Sequence, residues 1–189
     1  MIGDGTERVF NICAYSGFSG FLEPDPNVVK LHPGLIERTE VIERVTMPTR
    51  RLDDIAEIER IDLLKIDVQG AELDVFRHAR DKLSTCVVVH TEVTFMPFYK
   101  NQPSFGEIDV ELRGQGFVFH TAPPPKLFEF NGIAGDANQF IDGDMIYVRD
   151  FTRPELMSVD QLEALALIVE RCYGSFGLAR LCREHIALR

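Results

Sequence analysis

The sequence has 189 residues, of which 45% are hydrophobic and 26% charged, with a formal net charge of −10 and an isoelectric point near 5.0. This composition is typical of a soluble globular domain and offers no basic face for nucleic acid or an anionic membrane surface. No run of about 18 apolar residues is present that would span a bilayer. The four cysteines form no C-x-x-C pair, so we expect reduced thiols in a cytoplasmic protein, with Cys86 and Cys172 as small core residues.

The first third of the sequence predicts two strands that each have one buried face. Residues 8–15 and 39–47 alternate apolar and polar side chains, which is the period of a half-buried strand. We expect Asp53 or Thr49 to cap a short helix that runs through Ile58, because both residue types are favourable caps.

The central stretch of the sequence predicts a buried strand followed by a helix. Residues 61–68 are apolar at most positions without alternation, which is typical of an inner strand buried on both faces. Gly70 ends the strand, and residues 71–83 carry the apolar stripe of a helix that packs on its sheet. Lys65 interrupts the strand, and because a buried lysine needs a partner, we expect it to pair with a carboxylate.

The next part of the sequence predicts a second buried strand, at residues 87–94, and a helix. Ser104 and Glu107 form an S-x-x-E capping box at the start of this helix, which ends near Gly114. The segment 127–143 is rich in Phe, Asn, Gly and Asp and predicts no regular element. Loops of this length in a compact domain are usually functional or mobile.

The C-terminal part predicts two helices. Ser158 and Gln161 match a capping box that begins a strongly apolar helix to Cys172. Gly174 breaks this helix, and residues 176–186 form a second, amphipathic one.

Buried strands that alternate with helices predict an α/β fold. We expect the core strands at residues 61–68, 87–94, 117–121 and 144–148, with the first two as parallel neighbours. Ligands bind at the carboxyl edge of the strands in open α/β sheets. Asp67, Gln69, Glu72 and Glu92 lie near the ends of the first two core strands, so we expect them to cluster at this edge and face a common cavity.

Three motifs in the same order give the sequence a family resemblance. The segment K-I-D-V-Q-G-A-E at residues 65–72 resembles the signature of the FkbM-type methyltransferases. Residues 50–55 (R-R-L-D-D-I) are similar to the segment that precedes this strand in the family. Residues 87–105, beginning V-V-V-H-T-E-V, are similar to its next strand and loop. The resemblance covers nearly the whole chain.

The resemblance implies a class I, Rossmann-like methyltransferase sheet with flanking helices. In that case residues 1–189 form a single methyltransferase-like domain, with its core at 39–150 and a C-terminal helical segment at 158–189. A family member of this kind opens with a strand and a glycine-rich turn for the cofactor, and no G-x-G-x-x-G turn follows an N-terminal strand here. We therefore expect an N-terminally truncated, partial sheet.

The activity implied by the resemblance is S-adenosylmethionine-dependent O-methylation. The acceptor would be a hydroxyl of a small molecule, namely a sugar, a glycolipid or a natural product. The alternative is a non-catalytic fragment or scaffold domain that another chain completes. Because the glycine-rich turn is missing, we expect the chain alone to bind the cofactor weakly or not at all. We also expect it to dimerise or to be poorly soluble, because one edge of strand 61–68 is exposed.

The resemblance and the strand-end positions together give the candidate site residues. The three sets are Asp67, Gln69 and Glu72 for the cofactor; Asp67, Glu92 and His90 for catalysis; and Tyr99, Asn101 and Gln102 for the substrate.

Several of these residues also have a purely structural interpretation. Glu72 lies in a first helical turn, where the helix dipole favours a carboxylate. His90 stands alone among valines, as satisfied core histidines do. Asp67 and Glu92, if close together, would raise one pKa or hold a divalent cation through oxygen ligands, but the sequence supports no metal assignment. Ser16 and Ser19, in the turn after the first strand, either contact the acceptor or form an ordinary surface turn.

Overall fold

The computed structural model describes residues 1–124, 127–128 and 139–189, with the backbone alone at 127–128. Strands β1 (Glu7–Cys13) and β2 (Val41–Pro48) pair antiparallel with each other, where the alternating pattern predicts two strands. The loop between them contains the short helix α1 (Pro26–Val29). The other elements follow in chain order: β3 (Leu63–Ile66), α2 (Glu72–Arg77), α3 (Arg80–Thr85), β4 (Val88–Thr94), α4 (Phe105–Gly114), β5 (Phe117–Thr121), β6 (Leu127–Phe128), β7 (Gln139–Phe140), β8 (Asp142–Arg149), α5 (Val159–Tyr173) and α6 (Phe176–Ala187).

The four predicted core strands form one sheet in the order β3-β4-β8-β5. β3 and β4 are parallel neighbours, as predicted, with Leu63 opposite Val88. β8 runs antiparallel to both β4 and β5, so the sheet is mixed. The prediction of an α/β fold class is confirmed by this mixed sheet and its helices.

The prediction that residues 61–68 form an inner strand buried on both faces is wrong. Only Leu63–Ile66 are extended, and β3 is the edge strand of its sheet in the described part of the chain. Leu63 is 37% exposed, and the Lys65 side chain is 47% exposed. The apolar residues of this stretch are explained by one face only: Ile66 is buried, and Ile61, Leu64 and Val68 pack against the same core.

Helices cover the two faces of the sheet. On one face, α2, α3 and α4 pack Leu73, Phe76, Leu83 and Leu112 against Val89 of β4. On the opposite face, α5 and α6 build a second core. Its members are buried apolar residues of both helices and of the sheet, among them Val88, Ile146, Val148, Leu162, Leu165 and Ala179. No helix within the described ranges is long and apolar enough to cross a membrane.

The predicted helix 71–83 is two short helices, because the chain breaks at His78 and Ala79. The second helix, α3, is capped by a residue that is distant in the sequence. The Asp53 carboxylate accepts hydrogen bonds from the backbone N–H groups of Asp81 (3.2 Å) and Lys82 (2.9 Å). Asp53 therefore caps α3 rather than a helix of its own.

The predicted short helix through Ile58 is wrong, since only the 3-10 turn Leu52–Asp54 forms. The hydroxyl of Thr49 does not cap it, because it donates to the carbonyl of Thr6 at 2.9 Å and accepts from the N–H of Gly5 at 3.0 Å. These contacts join the start of the chain to the end of β2.

The predicted caps of the later helices are confirmed. Capping boxes join Ser104 to Glu107 at the start of α4 and Ser158 to Gln161 at the start of α5. Gly174 ends α5 in the left-handed conformation, with φ of 65°. Cys172, a predicted core residue, is exposed near the C-terminal end of α5.

The segment 127–143 contains elements that the sequence does not predict. β6 and β7 pair antiparallel, and β8 begins at Asp142. The rest of this segment, residues 129–138, lies outside the described residues.

Candidate functional site

Three carboxylates meet at the carboxyl ends of β3 and β4. Asp67 follows β3, Glu72 lies in the first turn of α2, and Glu92 lies near the end of β4. One carboxylate oxygen from each lies within 4.8 Å of the other two. Because β3 and β4 are parallel neighbours, their ends fall at the same edge of the sheet, as the sequence predicts.

The turn between β3 and α2 is held by Glu72. Its Oε1 accepts hydrogen bonds from the backbone N–H groups of Val68 (2.8 Å) and Gly70 (3.4 Å), and the residue is 3% exposed. Gly70 has φ of +92°, and an added Cβ would lie 2.9 Å from Leu22. Only glycine fits there, and Glu72 holds the turn through its Oε1.

Gln69 connects the first strand end to the loop after β4. Its Nε2 donates to Asp67 Oδ1 at 2.8 Å, and its Oε1 accepts from the Tyr99 hydroxyl at 2.6 Å. Its φ is +54°, which is uncommon outside glycine and persists where the surroundings hold the residue in place.

A cavity of about 160 Å³ opens beside this cluster. Its polar lining consists of Gln69, Glu92, Thr94, Tyr99, Gln102 and Asp142. Its apolar lining consists of Gly17, Phe18, Leu35, Phe98 and Ile141. The rings of Phe18 and Phe98 stack with their centroids 5.6 Å apart, so the cavity combines an aromatic wall with a polar one.

Burial and like charge control the protonation of Glu92. Burial is the larger cause, and the charges of Asp67, Asp142, Glu72 and Asp144 add to it, so the pKa of Glu92 rises to about 8. A carboxyl group with this pKa keeps its proton at neutral pH and loses it when a cation comes near.

Burial also raises the pKa of the two other buried acids of the site. For Glu72 the burial outweighs the backbone N–H groups, which lower the pKa. Burial again comes first for the Tyr99 phenol, followed by the charge of Glu92. Tyr99 therefore stays neutral at any ordinary pH.

Lys65, His90 and Asp144 form a second cluster on the face of the sheet that α5 covers. Lys65 Nζ lies 2.7 Å and His90 Nε2 lies 3.1 Å from Asp144 Oδ1. The other ring nitrogen of His90 lies 3.2 Å from the Tyr173 hydroxyl. The predicted ion pair of Lys65 is confirmed, although the lysine is exposed rather than buried.

The pKa values in this second cluster follow from its charges. Burial, with the charge of Lys65 added, lowers the pKa of His90. Burial alone would raise the pKa of Asp144, but the hydrogen bond and charge of Lys65, together with His90, hold it below its usual value. His90 is not among the residues that line the cavity, and its contacts fit the structural interpretation.

The three predicted substrate residues have different positions. Tyr99 and Gln102 line the cavity, whereas Asn101 is exposed in a turn with φ of +58° and does not. In the turn after β1, the hydroxyl of Ser19 accepts from the N–H of Cys13 at 3.0 Å, and Phe18 rather than either serine lines the cavity.

The lining residues that sequence reasoning missed include Thr94, Asp142, Phe18 and Phe98. Thr94 could have been predicted, since it lies two residues after Glu92 in the same strand and therefore shares a face of the sheet with Glu92. The other three come from loops and from β8, and their approach to β4 depends on tertiary packing.

The three clustered carboxylates are the described residues suited to a cation. Each offers one oxygen, and oxygen ligands of this kind suit a hard divalent ion or an organic cation alike. Asp67 is the outermost of the three, because Glu72 is buried and Glu92 partly so.

Known proteins with similar sequences point to one family. The family model described as a methyltransferase FkbM domain matches residues 2–119, which is more than half of the chain. Among curated proteins, the 2-O-methyltransferase NoeI of Sinorhizobium fredii (strain NBRC 101917 / NGR234) is 39% identical over 61 residues. That match covers 31% of this chain and 25% of NoeI, so the chain spans about a quarter of the length of this relative. No solved structure matches the chain at a significant level.

Proposed function

Because the chain belongs to the family of FkbM methyltransferase domains, we propose that it transfers a methyl group from S-adenosylmethionine to a hydroxyl of a sugar, glycolipid or natural product. The observation that carries this proposal is the meeting of Asp67, Glu72 and Glu92 at the carboxyl edge of the sheet, beside a cavity. The name of the relative NoeI, a 2-O-methyltransferase, supports a hydroxyl as the acceptor.

The described residues fit one end of this cofactor. S-adenosylmethionine carries a sulfonium and an ammonium group, and a cluster of carboxylates complements that positive charge. The cavity of about 160 Å³ is smaller than the roughly 300–1,000 Å³ of typical ligand pockets. We therefore assign only the methionine end of the cofactor to the residues predicted from the sequence, Asp67, Gln69 and Glu72.

When bound, the cofactor supplies an electrophilic methyl group. Glu92 is the proposed proton acceptor, because its carboxyl lines the cavity and its pKa of about 8 lies near the working pH of a general base. Beside a bound cation Glu92 loses its own proton, and its carboxylate then takes the proton that the acceptor hydroxyl gives up. Asp67 orients the cationic end, and the hydrogen bond from Gln69 fixes its carboxylate. The rings of Phe18 and Phe98 exclude water from one wall.

One observation favours the second candidate, a non-catalytic domain that another chain completes. β3, which carries the strand end of the site, pairs with β4 alone in the described residues. A strand added to its free edge would enlarge the wall of the cavity, and exposed edges are where such pairing occurs.

A methyl-transfer assay tests the proposal. Purified protein is incubated with S-adenosylmethionine labelled in its methyl group and with a panel of hexoses and their methyl glycosides. We expect labelled product, and a kcat about 10²–10⁴-fold lower for Glu92→Gln, the usual contribution of a positioned base. Glu163→Gln, an exposed change on α5, should leave kcat unchanged. No labelled product with any acceptor would contradict the proposal and favour the non-catalytic candidate.

A further inference from the structure

The hydrogen-bond direction at Gln102 is fixed by its neighbours. The backbone N–H groups of Phe98 (2.7 Å) and Tyr99 (3.1 Å) both point at its Oε1. A backbone N–H can only donate, so the amide oxygen must face these two groups and the amide nitrogen must face Thr94. No other assignment of the amide oxygen and nitrogen satisfies both N–H groups.

This direction determines what Thr94 offers to the cavity. Gln102 Nε2 donates to Thr94 Oγ1 at 2.6 Å, so the threonine oxygen is an acceptor in that bond. Its own hydroxyl proton is left over, and no acceptor for it is found among the described residues. Thr94 is 3% exposed and lines the cavity, so its proton is available to a ligand there.

A second series of hydrogen bonds fixes the direction of the Tyr99 hydroxyl, which becomes an acceptor where Thr94 is a donor. The Asp67 carboxylate accepts from Gln69 Nε2, which leaves the Gln69 Oε1 facing Tyr99. The tyrosine hydroxyl therefore donates its single proton to Gln69 at 2.6 Å, which is much closer than the other acceptor within reach, the carbonyl oxygen of Phe18 at 3.5 Å. The phenolic oxygen keeps its lone pairs, no described residue is seen to donate to it, and Tyr99 lines the cavity.

We propose that Thr94 and Tyr99 are the specificity residues of the cavity, Thr94 as a hydrogen-bond donor and Tyr99 as an acceptor. The matching ligand presents an acceptor to Thr94 and a donor to Tyr99, which neighbouring hydroxyl groups of a sugar or another polyol supply. Gln102 and Gln69 are positioning residues that fix the two directions. This inference deepens the proposed function, since it concerns the hydroxyl substrate of the same site.

The selectivity follows from the cost of unpaired polar groups. Both hydroxyls are buried in the cavity wall, where Tyr99 is only 4% exposed. A ligand that displaces water from them without replacing its hydrogen bonds leaves a buried donor or acceptor unsatisfied, which disfavours binding. An ether can accept from Thr94 but gives Tyr99 nothing, so it should bind more weakly than a diol of the same carbon skeleton.

A titration of two matched probes tests this inference. Ethane-1,2-diol and 1,2-dimethoxyethane are each added to the full chain, and the methyl resonance of Ile141, which lines the cavity, is followed by NMR. For the diol, Thr94→Val and Tyr99→Phe should each raise Kd by about 2- to 12-fold, the range that corresponds to loss of one hydrogen bond. For the diether, only Thr94→Val should weaken binding. Thr94→Ser, which keeps the hydroxyl group, should bind the diol as the wild type does. Thr152→Val, an exposed change elsewhere, should also leave diol binding unchanged.

The inference is overturned if neither probe shifts the Ile141 resonance, if both variants bind the diol like the wild type, or if Tyr99→Phe weakens the diether as much as the diol. The titration contains no S-adenosylmethionine and needs no turnover. Failure of the methyl-transfer assay therefore leaves its outcome intact, and the two proposals fail separately.

Discussion

Glu92 lies partly buried at the edge of a cavity, with four other carboxylates near enough to raise its pKa. Burial and repulsion act in the same direction here, because both disfavour the ionised form. The folded chain therefore holds a proton at neutral pH that an unfolded chain releases. The free energy of unfolding therefore depends on pH through Glu92, and a substitution of Glu92 removes this contribution.

The linkage predicts lower stability at higher pH. Below pH 4.5, the ordinary pKa of a glutamate, Glu92 is protonated in both the folded and the unfolded chain. Between about 4.5 and 8 the unfolded chain loses the proton while the folded chain keeps it, so the free energy of unfolding falls as pH rises. The part due to Glu92 falls by at most about 1.4 kcal/mol per pH unit.

Urea unfolding of wild type and Glu92→Gln between pH 5 and 9 measures this effect. The difference between the two proteins removes the contributions of groups that titrate in both. We expect the advantage of wild type over Glu92→Gln to shrink toward pH 8 and to level off above it. A constant difference across this range would show that the Glu92 carboxyl has an ordinary pKa.

At the scale of single residues, the sequence predicted those parts of the site that follow from strand order. Asp67 and Glu92 were predicted to meet because each lies near the end of a parallel strand. Phe18, Phe98 and Asp142 were not predicted, since no local pattern places a loop against a strand end. Of the four residues predicted to face a common cavity, Gln69 and Glu92 line it, whereas Asp67 and Glu72 do not. His90 and Asn101 also lie outside its lining.

At the scale of elements, α3 depends on a cap that is distant in sequence. Asp53 accepts from two N–H groups of the first turn of α3. We expect Asp53→Ala to lower the free energy of unfolding by about 1 kcal/mol, the usual cost of losing a cap. Asp54→Ala is the matched control. It removes only an exposed pair with Arg51, and such pairs contribute about 0–1 kcal/mol. Equal unfolding midpoints for the two variants in urea would contradict the capping role.

Two glycines near the junction of α5 and α6 should respond oppositely to the same substitution. Gly174 has φ of +65°, so Gly174→Ala should destabilise the protein by about 1 kcal/mol. Gly177 lies within α6, with open space around an added Cβ. Gly177→Ala should stabilise it by about 0.4–1 kcal/mol. Thermal melts of both variants check the two signs, and a shift in the same direction for both would be inconsistent with these backbone conformations.

Local signals explain which elements were predictable. The two capping boxes and Gly174 depend on side chains within a few residues, and all three were predicted from spacing alone. The capping of α3 by Asp53 and the edge position of β3 depend on residues that are far apart in the sequence. These are long-range effects, so the hydrophobic run of residues 61–68 was misread as an inner strand.

At the scale of the whole molecule, the free edge of β3 is the feature that bears on assembly. Its backbone groups face no further strand in the described residues, and Leu63 is 37% exposed beside it. Edges of this kind pair with other chains unless they are protected. We therefore still predict that the isolated chain self-associates, and light scattering should show a mass that rises with concentration.

The central claim is that Asp67, Gln69 and Glu72 receive the cationic end of S-adenosylmethionine, beside the proposed proton acceptor Glu92. The most direct test is an NMR titration of the chain with S-adenosylmethionine and with S-adenosylhomocysteine, which lacks the methyl group and the positive charge on sulfur. We predict weak binding that favours S-adenosylmethionine, backbone shifts at residues 67–72 and 92–94, and loss of this preference in Asp67→Asn. Equal affinity for the two compounds, or shifts confined to other parts of the chain, would contradict the claim.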